Sequence, residues 1–217
     1  MELRIDRVTK QYGKKIAVER LSVTLHSGVY GLLGANGAGK TTLMRMLADL
    51  LQPTAGDITL DGVSIYELGE EYRDLLGYLP QNFGFYPNFT AQDFMHYLAA
   101  VKGIEKRAAK EKTKELLRLV GLGAYARQKV KTFSGGMVRR LGIAQALLND
   151  PAILILDEPT AMLDPIGRRE VMKTIEHLNS EYNITIILIT HNMDEAVKAK
   201  RVVVIDSGKI LIDGTPK

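Results

Sequence analysis

Residues 34 to 42 read Gly34-Ala35-Asn36-Gly37-Ala38-Gly39-Lys40-Thr41-Thr42. Two glycines, Gly34 and Gly39, stand five apart and are followed by a lysine and a hydroxyl residue, which is the phosphate-loop pattern. Each residue type has a physical reason to be there. Glycines let main-chain N–H groups converge on phosphate oxygens with no Cβ in the way, Lys40 adds a mobile point charge, and Thr41 offers a hydroxyl to a metal ion. Upstream, Val29-Tyr30-Gly31-Leu32-Leu33 reads as a short buried strand; downstream, Thr42-Leu43-Met44-Arg45-Met46-Leu47 reads as a helix. The helix N-terminus then adds partial positive charge for the phosphates. The stretch predicts a nucleoside triphosphate site with Mg²⁺, and all of it except Ala35 is assigned to the bound nucleotide.

The 217 residues, 46% of them hydrophobic, suffice for a sizeable core in one domain or in a domain with an inserted lobe. The net charge of +4 is mild and is accounted for by a phosphate site near a membrane surface, so direct nucleic-acid binding is not expected. There is no cysteine, hence no disulfide and no thiolate metal site, which suits a reducing cytosol. Met1-Glu2-Leu3-Arg4-Ile5-Asp6 lacks the apolar core of a signal peptide. The longest apolar stretches, Ile153 to Leu156 and Ile184 to Ile189, are far below the roughly 20 residues of a membrane span. Any link to a membrane therefore goes through a partner.

Strand-like runs occur at Leu3 to Val8, Ala17 to Leu25, Val29 to Leu33, Asp57 to Leu60, Leu76 to Leu79, Ile153 to Leu156, Ile184 to Ile189, Val202 to Ile205 and Ile210 to Ile212. Several are continuous and β-branched, as in sheets covered on both faces. Between Gln81 and Asp150 helical periodicity takes over. Phe94, Tyr97, Leu98 and Val101 share one expected face, and Met137, Leu141, Ala144 and Leu148 another. The charged stretch Lys102 to Arg118 reads as a solvated helix with Leu116, Leu117 and Val120 as its apolar stripe. The expected fold is α/β: a phosphate-loop core with a mixed sheet, flanking helices and an antiparallel β portion, formed by 1–80 and 150–217, with a helical lobe inserted at 81–149.

Ile153-Leu154-Ile155-Leu156-Asp157-Glu158 is an apolar strand that ends in two carboxylates. Ligands of open α/β sheets sit at the carboxyl ends of strands, so these acids arrive where the phosphate loop lies. Asp157 is assigned to Mg²⁺, directly or through water, and Glu158 to orienting or deprotonating the attacking water. His191 follows the strand Ile184 to Thr190 and reaches the same edge, placed to contact the γ-phosphate or the water. Thr132-Phe133-Ser134-Gly135-Gly136-Met137 opens a helix with a serine and two glycines: a plain N-cap, or a second anion site.

In these motifs the chain resembles the ATP-binding subunits of ABC transporters over essentially its whole length. Ser134-Gly135-Gly136 is similar to the family's signature, Ile153 to Glu158 to its second nucleotide motif, and Ala161-Met162-Leu163-Asp164 to its D-loop. His191 is similar to the switch histidine. Gln81, after Gly77-Tyr78-Leu79-Pro80, is similar to the glutamine that joins core to lobe and reaches Mg²⁺ and water. Tyr12 stands where the family stacks an aromatic on adenine; packing within a strand connection is its other reading. The resemblance implies ATP as nucleotide, hydrolysis with Glu158, His191, Gln81 and Lys40 as catalytic residues, and Thr41, Gln81 and Asp157 around Mg²⁺. It implies a head-to-tail homodimer in which Ser134, Gly135 and Gly136 of one copy close over the γ-phosphate of the other. Phe133 replaces the usual leucine of the signature and Met137 its glutamine. Main-chain and serine contacts survive both changes, while a ribose or linker contact through the glutamine amide does not.

The expected activity is thus ATP hydrolysis that powers transport, at the cytoplasmic face of a cell membrane. Asn82-Phe83-Gly84-Phe85-Tyr86-Pro87-Asn88-Phe89 holds three of the five phenylalanines. It reads either as a docking patch for an integral membrane permease, as the family implies for Phe83–Phe89, or as packing within the lobe. Gly84 to Asn88 and Leu163 to Arg169 most resemble bacterial subunits serving exporters of drugs, antibiotics or polymers. Related subunits often continue past Gly214-Thr215-Pro216-Lys217, so a C-terminal extension is expected. A soluble ABC-type ATPase of translation or DNA repair is the alternative. It would normally carry two cassettes with a charged linker, zinc modules or long coiled coils. A small-molecule kinase, the third reading, needs no second anion-binding helix start.

Overall fold

The computed structural model describes residues 1–216. Two sheets organise it. One is antiparallel, in the order β2-β1-β4-β5, from β1 (Leu3–Tyr12), β2 (Lys15–Leu25), β4 (Ala55–Leu60) and β5 (Val63–Ser64). The other runs β10-β9-β3-β8-β7-β6, from β3 (Val29–Leu33), β6 (Leu76–Leu79), β7 (Ile153–Asp157), β8 (Thr185–Thr190), β9 (Arg201–Asp206) and β10 (Lys209–Gly214). It is parallel except for its β9–β10 hairpin. All nine expected strands are present. The two-residue β5 lies below what a periodicity can signal, being set by the turn at Asp61 (φ 48) and Gly62 (φ 88).

β3, β7 and β8 are buried at every residue, because both faces of the larger sheet are covered. Alternate residues serve the two sides. Ile153, Ile155, Ile187 and Ile189 pack with α1 (Lys40–Leu47) and the antiparallel sheet; Leu154, Leu156, Ile186 and Leu188 pack with α4 (Ala91–Val101), α5 (Lys106–Leu119), α6 (Gly135–Ala146) and α7 (Pro165–Tyr182). The helices between β6 and β7 therefore share one continuous apolar cluster with the sheet. Short helices α2 (Ile65–Leu68), α3 (Glu70–Asp74) and α8 (Met193–Ala196) complete the chain. Among the described residues no helix is long and apolar enough to cross a membrane.

One expected helix face and one helix end are corrected. In α4 the buried residues are Ala91, Phe94, Met95 and Ala99, whereas Tyr97 and Val101 are 43% and 66% exposed. Ala91, Met95 and Ala99 share a face at helical spacing with Phe94 beside it, so Tyr97 and Val101 fall to the outside. In α6, Leu141 and Ala144 are buried as expected, but Leu148, also buried, lies beyond the helix end. α5 begins at Lys106, after Gly103 (φ 75), with Glu105 as N-cap; its buried residues are Ala109, Thr113, Leu116 and Leu117.

Candidate functional site

Three strands of the parallel sheet deliver the site at their carboxyl ends. β3 runs into the loop Gly34–Gly39, and α1 starts at Lys40. The loop is closed by the Ala38 N–H donating to Ala35 O at 3.1 Å and fastened to the β9–β10 turn by the Gly208 N–H donating to Ala38 O at 2.9 Å. Gly39 has φ 105, and a Cβ there would stand 2.4 Å from Ala17 O. Only glycine fits both constraints. Gly34 is needed for a different reason: its Cβ would stand 2.3 Å from Ile205 O. The Lys40 ammonium is buried and donates to Gly34 O at 2.6 Å and Ala35 O at 3.0 Å, so it braces the loop it serves.

A cavity of about 240 Å³ opens over this loop. Asn36, Gly37, Gly39, Lys40, Thr41 and Thr42 line it from the loop and α1, Gln81 from the end of β6, and Asp157 and Glu158 from the end of β7. Tyr12 lines it from the β1–β2 hairpin, where it pairs with Lys15 and has the Lys10 ammonium 5.6 Å from its ring centroid. Gly34 and Ala38 shape the loop without lining the cavity.

Asp157 is 6% exposed. Burial, and then the neighbouring Glu158 carboxylate, raise its pKa; Lys40, the Gln81 main-chain N–H and Arg139 pull the other way without cancelling the rise. A buried acid beside a second carboxylate is stabilised in its charged form by a bound cation. Thr41, Gln81 and Asp157 all line the cavity and carry side-chain oxygens, and among the described residues no cluster of three or more His, Cys, Asp or Glu forms a protein-only metal cage. That donor set fits Mg²⁺, which takes one or two protein oxygens plus substrate phosphates.

Glu158 leaves β7 at φ 48, its N–H bonded to Ile189 O at 2.8 Å. This left-handed backbone, costly for a residue with a side chain, turns the carboxylate from the sheet toward the cavity. Its Oε1 lies 2.8 Å from His191 Nδ1. His191 itself lines an adjoining concavity that shares Gln81 and Glu158 with the first.

Ser134, Gly135 and Gly136 lie elsewhere. Ser134 caps α6, its hydroxyl accepting from the Met137 N–H at 3.2 Å. All three line a concavity with Tyr125, Leu163 and Glu170 that has no lining residue in common with the cavity over the Gly34–Gly39 loop. Of the sixteen candidate residues, eleven line two adjoining openings, Gly34 and Ala38 shape the loop beneath them, and these three lie apart.

Sequence reasoning missed Lys15 and Ala17, which line the cavity, and Arg139, whose Nη1 lies 3.4 Å from Pro80 O. Lys15 was findable as the hairpin partner of Tyr12. Arg139 carried no local signal, because its contact spans 59 residues.

The sequence profile of the ABC transporter family matches residues 18–161, most of the chain. The chain belongs to the ABC transporter family. This cassette is 37% identical to the linearmycin resistance ATP-binding protein LnrL of Bacillus subtilis, over 98% of this chain and 69% of that one. It is 42% identical to the bacitracin transport ATP-binding protein BcrA of Bacillus licheniformis, over 94% of this chain and 66% of that one. The cassette therefore spans about two thirds of the length of these relatives. Its fold matches the dimeric structure of the bacterial ABC transporter cassette MJ0796 with a TM-score of 0.86 at 24% identity, covering 99% of both chains.

Proposed function

We propose that the cassette hydrolyses ATP to drive export across a membrane, as one half of a head-to-tail dimer bound to an integral membrane permease. The observation that carries the catalytic reading is the convergence of Lys40, Thr41, Gln81, Asp157 and Glu158 on one cavity, with His191 bonded to Glu158. Phosphoryl transfer asks for positioning and charge stabilisation rather than covalent chemistry from the protein. Adenine stacks on Tyr12, and main-chain N–H groups of Gly37 to Thr42 take the phosphates. Lys40 exchanges its loop carbonyls for β- and γ-phosphate oxygens, and Thr41, Asp157 and Gln81 would hold Mg²⁺, which would supply charge neutralisation to the phosphates. Glu158 accepts the proton of the attacking water and His191 holds Glu158 in place.

The separate signature concavity supports the dimer. One chain cannot fold Ser134–Gly136 over its own loop, so a second copy supplies them. The lobe 81–149 carries that turn and the permease contact. Within Phe83–Phe89, Phe83 and Phe89 pack inward, and Phe85 and Tyr86 are 36% and 48% exposed. These two rings, with Tyr97, form the face offered to the permease, at the cytoplasmic side of the membrane. The names of LnrL and BcrA support a cargo of drug or antibiotic type.

Glu158→Gln tests the assignment. The amide cannot accept the water's proton while Asp157 still holds the metal, so ATP binding persists, turnover nearly vanishes, and size-exclusion with ATP and Mg²⁺ shows a dimer. Wild-type turnover in this variant, or a species that stays monomeric at high concentration, contradicts the reading.

A further inference from the structure

Helix α8 carries a carboxylate for which hydrolysis has no direct use. Glu195 is 5% exposed, and one oxygen, Oε1, accepts from two donors, the Thr160 hydroxyl and Asn192 Nδ2 at 3.1 Å. Its other oxygen, Oε2, is buried without a partner. A carboxylate taken out of water is costly unless its bonds achieve something that an apolar side chain could not.

The two donors show what is achieved. Thr160 stands two residues after Glu158, on the loop leaving β7, and Asn192 directly follows His191, on the loop leaving β8. The Asn192 amide is oriented by its Oδ1, which accepts from the Asp194 N–H at 3.0 Å, and its main-chain N–H donates to Thr190 Oγ1 at 3.0 Å. Thr160 is 3% exposed and Thr190 fully buried. A single carboxylate oxygen thus ties together the two loops that Glu158 and His191 occupy. The direct bond between those two is 2.8 Å long, but the His191 side chain is 64% exposed. A bond to a side chain so open to water holds two loops weakly, whereas the buried Thr160–Glu195–Asn192 link is shielded from water.

We propose that Glu195 is a positioning residue, which keeps the His191 loop in register with Glu158 so that the histidine meets the carboxylate in the hydrolytic geometry. This rests on the ATPase reading and extends it. The same carboxylate sits at the start of Ala161-Met162-Leu163-Asp164, whose Met162 is fully exposed at φ 62, so it also anchors the base of that loop.

The experiment compares Glu195→Ala, Glu195→Gln and Thr160→Val, each alone and with His191→Ala, in the full chain. Steady-state ATPase kinetics, fluorescent-nucleotide binding and melting curves are the readouts. Glu195→Ala should lower kcat on the order of 10- to 100-fold, the scale of a small misplacement of reacting groups, with the ATP dissociation constant unchanged. Glu195→Gln keeps an acceptor oxygen for both donors and should restore most of kcat. The double variant Glu195→Ala with His191→Ala should be no slower than His191→Ala alone, because both changes disable one device. Should Glu195→Ala fold poorly, Thr160→Val, which removes one donor at constant shape, should show the same fall and the same lack of additivity with His191→Ala. Wild-type kcat in either variant, failure of Glu195→Gln to rescue, or losses that multiply in the double variant would overturn the proposal. Those outcomes leave wild-type turnover and its loss in Glu158→Gln intact. Absence of turnover in the wild type would overturn the ATPase reading and this proposal together.

Discussion

Tyr12 shows how a residue at the end of a strand comes to line the cavity. It closes β1, the hairpin at Gly13 (φ 57) turns the chain, and its ring is left 45% exposed on the cavity rim. Tyr12→Ala should weaken ATP binding by about 1–3 kcal/mol through lost stacking and relax the preference for adenine, with no change in melting temperature; titration with ATP and GTP checks both. Lys40 is different, since its ammonium also binds Gly34 O and Ala35 O. Its removal costs loop shape as well as phosphate charge.

At the scale of elements, α5 is held at its start by one exposed acid. The Glu105 carboxylate accepts from the main-chain N–H groups of Arg107 at 2.9 Å and Ala108 at 3.1 Å, which hold its pKa below the ordinary carboxylate value. A depressed pKa adds stability above the unfolded carboxylate pKa, and that stability is lost as pH falls through the folded one. Glu105→Ala should therefore melt earlier than wild type at pH 7, and the gap should close as the buffer is taken through the acidic carboxylate range. The aromatic face of the lobe gives a second contrast. Tyr86 packs on Phe89 and Tyr97 with ring centroids 5.0 and 5.4 Å apart, and stays half exposed. Phe85→Ser with Tyr86→Ser should cost only about 1–2 kcal/mol of stability, keep ATP affinity, and abolish recovery of the complex from membranes. Phe94→Ala, at 2% exposure, should cost about 3–5 kcal/mol. A melting curve of the double variant comes first: a drop as large as that of Phe94→Ala means that the rings fill the lobe instead of docking.

For the whole molecule, the division of the site between two copies is open to a direct trial. Gly136 is a poor place to break the signature, because a Cβ there would meet Gly167 Cα at 3.1 Å and upset the α6–α7 contact. At Gly135 the nearest atom, 2.9 Å away, is the end of the Leu163 side chain, which can move. Gly135→Asp places a carboxylate against the incoming γ-phosphate and should block closure while sparing nucleotide binding by the monomer. Mixing it with a Lys40→Ala chain puts both defects into one site of a head-to-tail dimer and leaves the other intact. Mixtures should trap one nucleotide per dimer. Mixtures that trap none contradict the arrangement.

The sequence by itself determined the phosphate loop, the acids closing β7, the strands and the insertion of helices after β6. Each is a local pattern, whose glycines, alternations and apolar runs act over a few residues. The exposed faces of α4, the contact of Arg139 with Pro80 O and the Thr160–Glu195–Asn192 link were decided only by tertiary structure. The Thr160–Glu195 and Arg139–Pro80 bonds join residues 35 and 59 apart, and no local periodicity encodes which partner a side chain meets across such a distance. The same holds for the signature turn: its motif is legible, but its separation from the nucleotide cavity follows from where the packing of α6 against α7 and the sheet places it.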